Sequence, residues 1–180
     1  MHTVMIPTDI AAKNIDSLNR SVVANVDVDN GAVFQLNGIS AAEGQGEVFN
    51  YAAPASGDGL KDLWMAYSPE VVVTVSGDFK AKGIDSDPRN FTNIKDVPFD
   101  AFKVQIGDLV KLTAEGFANA YDEATPYAVA TAGSNKLTWA ASPVAGLSFK
   151  VVKEEPVIVG QGIIDSNAVE AYILECVSIR

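Results

Sequence analysis

The chain has 180 residues and a mass of 19.0 kDa, enough for one large domain or two small ones that bury roughly 70% of the chain's surface without disulfides or metals. Its formal charge of −10, isoelectric point near 4.4 and mean hydropathy of +0.13 describe a packed acidic protein rather than a disordered one. Residues 1–90 carry 6 basic and 12 acidic side chains, and residues 91–180 carry 7 and 11, so neither half offers the cationic cluster that nucleic acid requires.

Met1-His-Thr-Val-Met-Ile-Pro-Thr-Asp9 lacks the basic start and apolar core of a signal peptide, and no run approaches the roughly 18 apolar residues of a membrane span. Neither export nor a membrane is expected. Residues 1–20 have no clear period. Asn14, Asp16, Ser17 and Asn19 disfavour a helix. The expectation is an extended N-terminal arm holding at most one short helical turn, with a plain first strand as the alternative. From Val22 the pattern alternates. Val22, Ala24, Val26 and Val28 lead to Asn30-Gly31, and Ala32, Phe34 and Leu36 follow. Two alternating runs around Asn-Gly predict a β-hairpin, because both central residues of its turn must take positive φ.

Glu47–Ala52, Leu63–Tyr67 and Val71–Val75 read as short strands, divided by Pro54, Ser56-Gly-Asp-Gly59, Pro69 and Ser76-Gly-Asp78. After a polar stretch from Ile84 to Pro98, strands are expected at Phe99–Ile106, Leu109–Thr113, Tyr127–Ala130, Leu137–Trp139, Leu147–Val152, Pro156–Val159 and Ala171–Ile179. Only residues 167–172 and 118–121 could host a helical turn. Short strands with frequent turns and no long amphipathic helix predict a mainly β fold, an antiparallel sandwich or barrel of short strands. Residues 21–180 form the β domain, undivided or split into two β lobes near 84–98.

The residues offer little catalytic chemistry. His2 is the only histidine and Cys176 the only cysteine, so neither a nucleophile–imidazole pair nor a zinc shell can be assembled around them in the usual way. Cys176 lies in an apolar strand and reads as a buried thiol. Asp122-Glu123 and Glu154-Glu155 are carboxylate pairs, yet neighbours on a strand point to opposite faces. Asp85–Asp96 has Arg89 and Asn90 where a calcium loop needs an acid and a glycine, so Asp87 is read as opening a turn and Arg89 as pairing with a nearby acid. Gly44-Gln-Gly46 and Gly160-Gln-Gly162 lack the Lys-Ser/Thr ending of a phosphate loop. Trp64, Tyr67, Phe91, Phe99 and Trp139 are read as core, with a carbohydrate platform as the alternative. No catalytic, cofactor-binding or metal-binding residues are assigned, no cofactor is expected, and an enzyme is not the expected class.

Tyr67-Ser-Pro-Glu, Asp87-Pro-Arg-Asn-Phe-Thr-Asn93, Pro98-Phe-Asp-Ala-Phe102 and Ile106-Gly-Asp-Leu-Val-Lys-Leu-Thr113, followed by Tyr127–Ala130, Leu137–Trp139 and Phe149–Val152, resemble in texture the head decoration (cement) proteins of tailed bacteriophages. The likeness covers about residues 65–153. It implies synthesis in a bacterial host's cytoplasm and a place on the virion's capsid surface, where the protein bridges capsomers and stabilises the shell. The implied partners are the major capsid protein and copies of itself, in a homo-oligomer for which a trimer is favoured. Val4, Ile6, Ile10, Ile15 and Leu18 are then the expected interface residues. Alternatives are another virion component (tail, neck or head fibre) or a carbohydrate-binding, adhesive β module.

Overall fold

The structure is a computed structural model that describes residues 1–41, 46–70, 72–76, 79–83, 87–159 and 168–180, and in 72–76 and 79–83 it describes the backbone. In chain order the strands are β1 (Met5–Asp9), β2 (Asn19–Val23), β3 (Val33–Ile39), β4 (Val48–Ala52), β5 (Trp64–Ala66), β6 (Val72–Ser76), β7 (Phe79–Gly83), β8 (Phe99–Lys103), β9 (Leu109–Thr113), β10 (Tyr127–Val129), β11 (Thr138–Ala140), β12 (Leu147–Glu154), β13 (Val157–Ile158), β14 (Ala168–Val169) and β15 (Ala171–Ile179). The only helical pieces among the described residues are short 3-10 turns, and none of their helices could cross a membrane. The mainly β expectation is met.

The strands sort into a closed barrel, a sheet and two ribbons. The barrel runs β2-β4-β3-β5-β8 and closes through antiparallel pairing of β8 with β2. Its pairs are antiparallel except β2 with β4, where Ser21 lies beside Val48 in parallel register. Val22, Phe34, Ala66, Phe99 and Ala101 fill it, because alternate residues of each strand point inward and these are its apolar ones. The six-stranded sheet has the order β1-β9-β15-β12-β10-β11 and is antiparallel throughout. Its inner face (Leu112, Phe149, Leu174, Trp139) packs on Val33, Leu63, Met65 and Phe102 of the barrel side in one shared core. Passage from barrel to sheet falls between Lys103 and Leu109, later than the 84–98 loop, and β1 returns the chain's first strand to the sheet.

The hairpin expected around Asn30-Gly31 does not form. β2 pairs with β4 and β8, β3 pairs with β4 and β5, and the two never pair with each other. The turn explains why. Gly31 has φ +84 while Asn30 stays at negative φ, so the two-residue turn that demands positive φ twice is not made. The Asn30 carboxamide is instead fully buried. Its Oδ1 accepts from Ser68 N–H at 3.0 Å and from Asn93 Nδ2 at 3.2 Å, and its Nδ2 donates to Ser68 C=O at 3.0 Å. A Cβ on Gly31 would stand 2.4 Å from Leu112 Cδ2, so the glycine also lets the turn before β3 lie close against the sheet. Residues 118–121 and 168–172 hold no helical turn; the second range is β14 and the start of β15. The turn at Gly77-Asp78 and the glycine segments 44–45 and 160–162 lie outside the described residues.

Candidate interaction surface

Residues 1–20 do not project as a free arm. Met5–Asp9 is antiparallel to β9, with Met5 opposite Leu112 and Ile6 opposite Lys111, and Val4 N–H donates to Thr113 Oγ1 at 3.1 Å. Two 3-10 turns, Ala11–Lys13 and Asp16–Leu18, carry the chain into the barrel. Val4 and Ile10 are buried in the chain's own core and Leu18 is partly buried against it; Ile6 (41% exposed) and Ile15 (46%) remain open. The physical reason is the alternation of β1: Met5 faces the sheet's core, Ile6 the other side. Asp108 ties the following turn down. Its carboxylate is buried, accepts from Ala11 N–H and Gln105 N–H at 2.8 Å each, and is pushed up from its ordinary pKa by loss of water.

Sequence reading assigned His2 no role, yet the structure gives it one in fixing the chain's start. Its Nδ1 lies 2.7 Å from Asp29 Oδ1, Thr92 Oγ1 lies 2.9 Å from the same oxygen, and His2 N–H donates to Arg89 C=O. Its spacing of 27 residues from Asp29 carries no local signal. Among the described residues no three His, Cys, Asp or Glu side chains gather as a metal site would require. Cys176 is buried in the sheet, and burial pushes its thiol up to about 12. Asp87 opens the 3-10 turn Pro88–Asn90 as expected, and the acid that pairs with Arg89 is Asp87 itself, at 2.6 Å. Phe91, Phe99 and Trp139 are buried, which removes them from any carbohydrate platform.

The sheet's outer face is a mixed surface. One cross-strand row reads Ile6, Lys111, Ile173, Lys153, and the next Leu109, Glu175, Lys150, Tyr127. Register irregularities between β12 and β15 place Val152 and Val177 as extra residues, and both are exposed. Lys111 and Lys153 both grip Glu155, at 2.8 and 2.5 Å, and hold its carboxyl at about 2.

An exposed strand edge offers a row of unmatched N–H and C=O groups to another chain. Both ends of this sheet are blunted. At β1, Pro7 has no N–H to offer, and Lys13 Nζ occupies Pro7 C=O at 2.9 Å and Thr8 C=O at 3.1 Å. At β11, Asn119 Oδ1 accepts from Trp139 N–H at 2.8 Å, and residues 116–118 hydrogen-bond Leu137 on both sides. The barrel is closed and has no edge. What remains, among the described residues, are the ribbons β6–β7 and β13–β14, each hydrogen-bonded only within itself. Comparison of the chain with protein-family models, with curated proteins and with solved structures returned no match.

Proposed function

We propose that this chain is a structural virion protein that binds the outer surface of a phage capsid and stabilises the shell by bridging neighbouring capsomers. The observation that carries the reading is the pair of two-stranded ribbons that, among the described residues, pair with no other strand, beside a closed barrel and a sheet with both edges blunted. An isolated two-stranded ribbon is marginally stable in water at best, so it gains most from lying against another surface. Main-chain pairing with a partner's strand is a general route to protein–protein attachment. The outer face with Ile6, Ile173, Val152 and Val177 supplies a second surface, apolar enough to dock and studded with charges that set register. Many weak contacts repeated over a symmetric shell give firm attachment through avidity. The charge of −10 keeps decorated particles apart in solution. The role is adhesive rather than catalytic.

The test is to mix purified protein with undecorated heads and measure co-sedimentation and occupancy. Saturable binding at symmetry-related positions, with heads that then resist heat or chelation better, is the expected result. Absence of binding to any head or tail particle, with discrete hits on a glycan array, would replace this reading by the adhesive-module one.

A further inference from the structure

We propose that Asn37 is a site of spontaneous covalent modification in the folded protein, deamidation through a succinimide, whereas the other Asn-Gly step, Asn30-Gly31, is protected from it. The chemistry is independent of what the protein binds.

The chain has two Asn-Gly steps, at 30–31 and 37–38. In this reaction the main-chain nitrogen after an asparagine attacks that asparagine's own side-chain carbonyl carbon. A side chain on the following residue crowds the nitrogen, and glycine has none. By sequence the two steps are equal. The fold separates them.

At Asn30 both reacting groups are engaged. Its carboxamide is fully buried, accepts from Ser68 N–H and Asn93 Nδ2, and donates to Ser68 C=O. The attacking atom is held as well, since Gly31 N–H donates to Ala66 C=O at 2.8 Å. Gly31 is itself buried against Leu112, which keeps water from the reacting atoms.

Asn37 and Gly38 are both exposed. The register of β3 against β4 breaks between Leu36 and Ile39, so Asn37 and Gly38 together face the single residue Asn50. The Asn50 side chain reaches only the main-chain carbonyl of Asn37, at 3.4 Å. Among the described residues the Asn37 carboxamide has no hydrogen-bond partner. Gly38 has φ +68, and a Cβ there would meet nothing within 4 Å. The carboxamide can therefore turn onto the Gly38 nitrogen in contact with water.

Solvent base takes the Gly38 N–H proton, and the nitrogen bonds to Asn37 Cγ. The Cγ–Nδ2 bond breaks, ammonia leaves, and a cyclic imide closes. Water then opens the ring at one of its carbonyls. Opening at Cγ leaves an ordinary aspartate; opening at the main-chain carbonyl leaves an isoaspartyl link. No oxidant or enzyme takes part. Either product adds one negative charge to the chain's −10. The altered link falls where the ladder is already irregular, so the β3 pairs from Val33 to Leu36 need not move.

The test is to incubate the folded protein in mildly alkaline buffer and map its peptides by fragmentation mass spectrometry. Conversion at Asn37 should exceed that at Asn30 by at least about tenfold, because buried Asn30 reacts only through rare opened molecules. In urea above the unfolding midpoint the two steps should convert at comparable rates. Both aspartate and isoaspartate should appear at position 37. Asn37→Gln should abolish the main acidic form on ion exchange and leave the far-UV circular dichroism unchanged. Equal conversion at 30 and 37 in the folded protein, or aspartate without isoaspartate, would overturn the proposal. So would a main acidic form that persists in Asn37→Gln, or an intact Asn37 after a free peptide of residues 34–41 has converted.

Discussion

Replacing Gly31 by alanine should measure how tightly barrel and sheet are joined. Gly31 has φ +84, where an L residue costs roughly 1–2 kcal/mol. Its new Cβ would stand 2.4 Å from Leu112 Cδ2 and 3.5 Å from Met5 Cβ. Leu112 is fully buried, so it has no open space to retreat into, and forced repacking of this kind costs about 1–3 kcal/mol. Gly31→Ala should therefore lose about 2–5 kcal/mol in total. Urea unfolding followed by fluorescence reports on both parts of the fold, because Trp64 lies in the barrel and Trp139 in the sheet. Leu112→Ala alone should cost about 2–5 kcal/mol as a cavity. In the double variant the alanine methyl occupies space that Leu112 vacated. The clash is relieved, the φ cost stays, and the two losses should fall short of additivity by about 1–3 kcal/mol. Additive losses, or a Gly31→Ala cost below about 1 kcal/mol, would refute the reasoning, since neither is compatible with steric contact on top of backbone strain.

Asn30→Ala should destabilise by about 2–4 kcal/mol in the same urea assay, because it strands the buried N–H and C=O of Ser68. Cys176 should react with a thiol reagent at pH 8 far more slowly than free cysteine, because a thiol at about 12 is ionised to only about one part in 10⁴; denaturant should restore full reactivity. Glu155 is held at about 2 against an ordinary 4.5, so its ion pairs contribute stability that is complete above 4.5 and lost as pH falls towards 2. Wild type and Glu155→Gln should therefore differ in urea midpoint at pH 6 and low salt, and converge near pH 2. Ile6→Asp should leave the urea midpoint within about 0.5 kcal/mol, since Ile6 is exposed, yet lower occupancy on heads if the outer face docks; deletion of residues 2–20 would instead strip an edge strand and confound the two effects.

Strand existence was legible in the sequence because alternation of Val, Phe and Leu with polar residues reports one buried face, as in β8 and β12. Partner choice was not. Asn30-Gly31 carries the strongest local turn signal in the chain, but its side chain answers to Ser68 and Asn93, some 38 and 63 residues away. Val4 and Ile10 looked like scattered apolar residues on an arm for the same reason: the strand and turn that bury them begin about a hundred positions later. The candidate surface was legible only in part. Ile6 and Ile15 are exposed as an interface would need, while the closure of the sheet's edges depends on Lys13 and Asn119, whose polar side chains read in sequence as ordinary solvated groups. Arg20, set over the rings of Phe49 and Trp64 at 5.7 and 5.8 Å, is another long-range pairing of this kind.

The docking of β1 onto β9 joins Val4 to Thr113 across 109 positions, and this has a kinetic corollary. At ribosomal speeds of about 5–20 residues per second, the first strand waits roughly 5–20 s for its mate to be made. Throughout that interval Val4, Met5 and Ile10 are without the shelter they later share. The sheet is completed later still, because β15, which lies between β9 and β12, is the last strand to be made. A truncated nascent chain ending before Leu109 ought to present the amino-terminal segment to chaperones and proteases, and one that includes β15 ought to withdraw it.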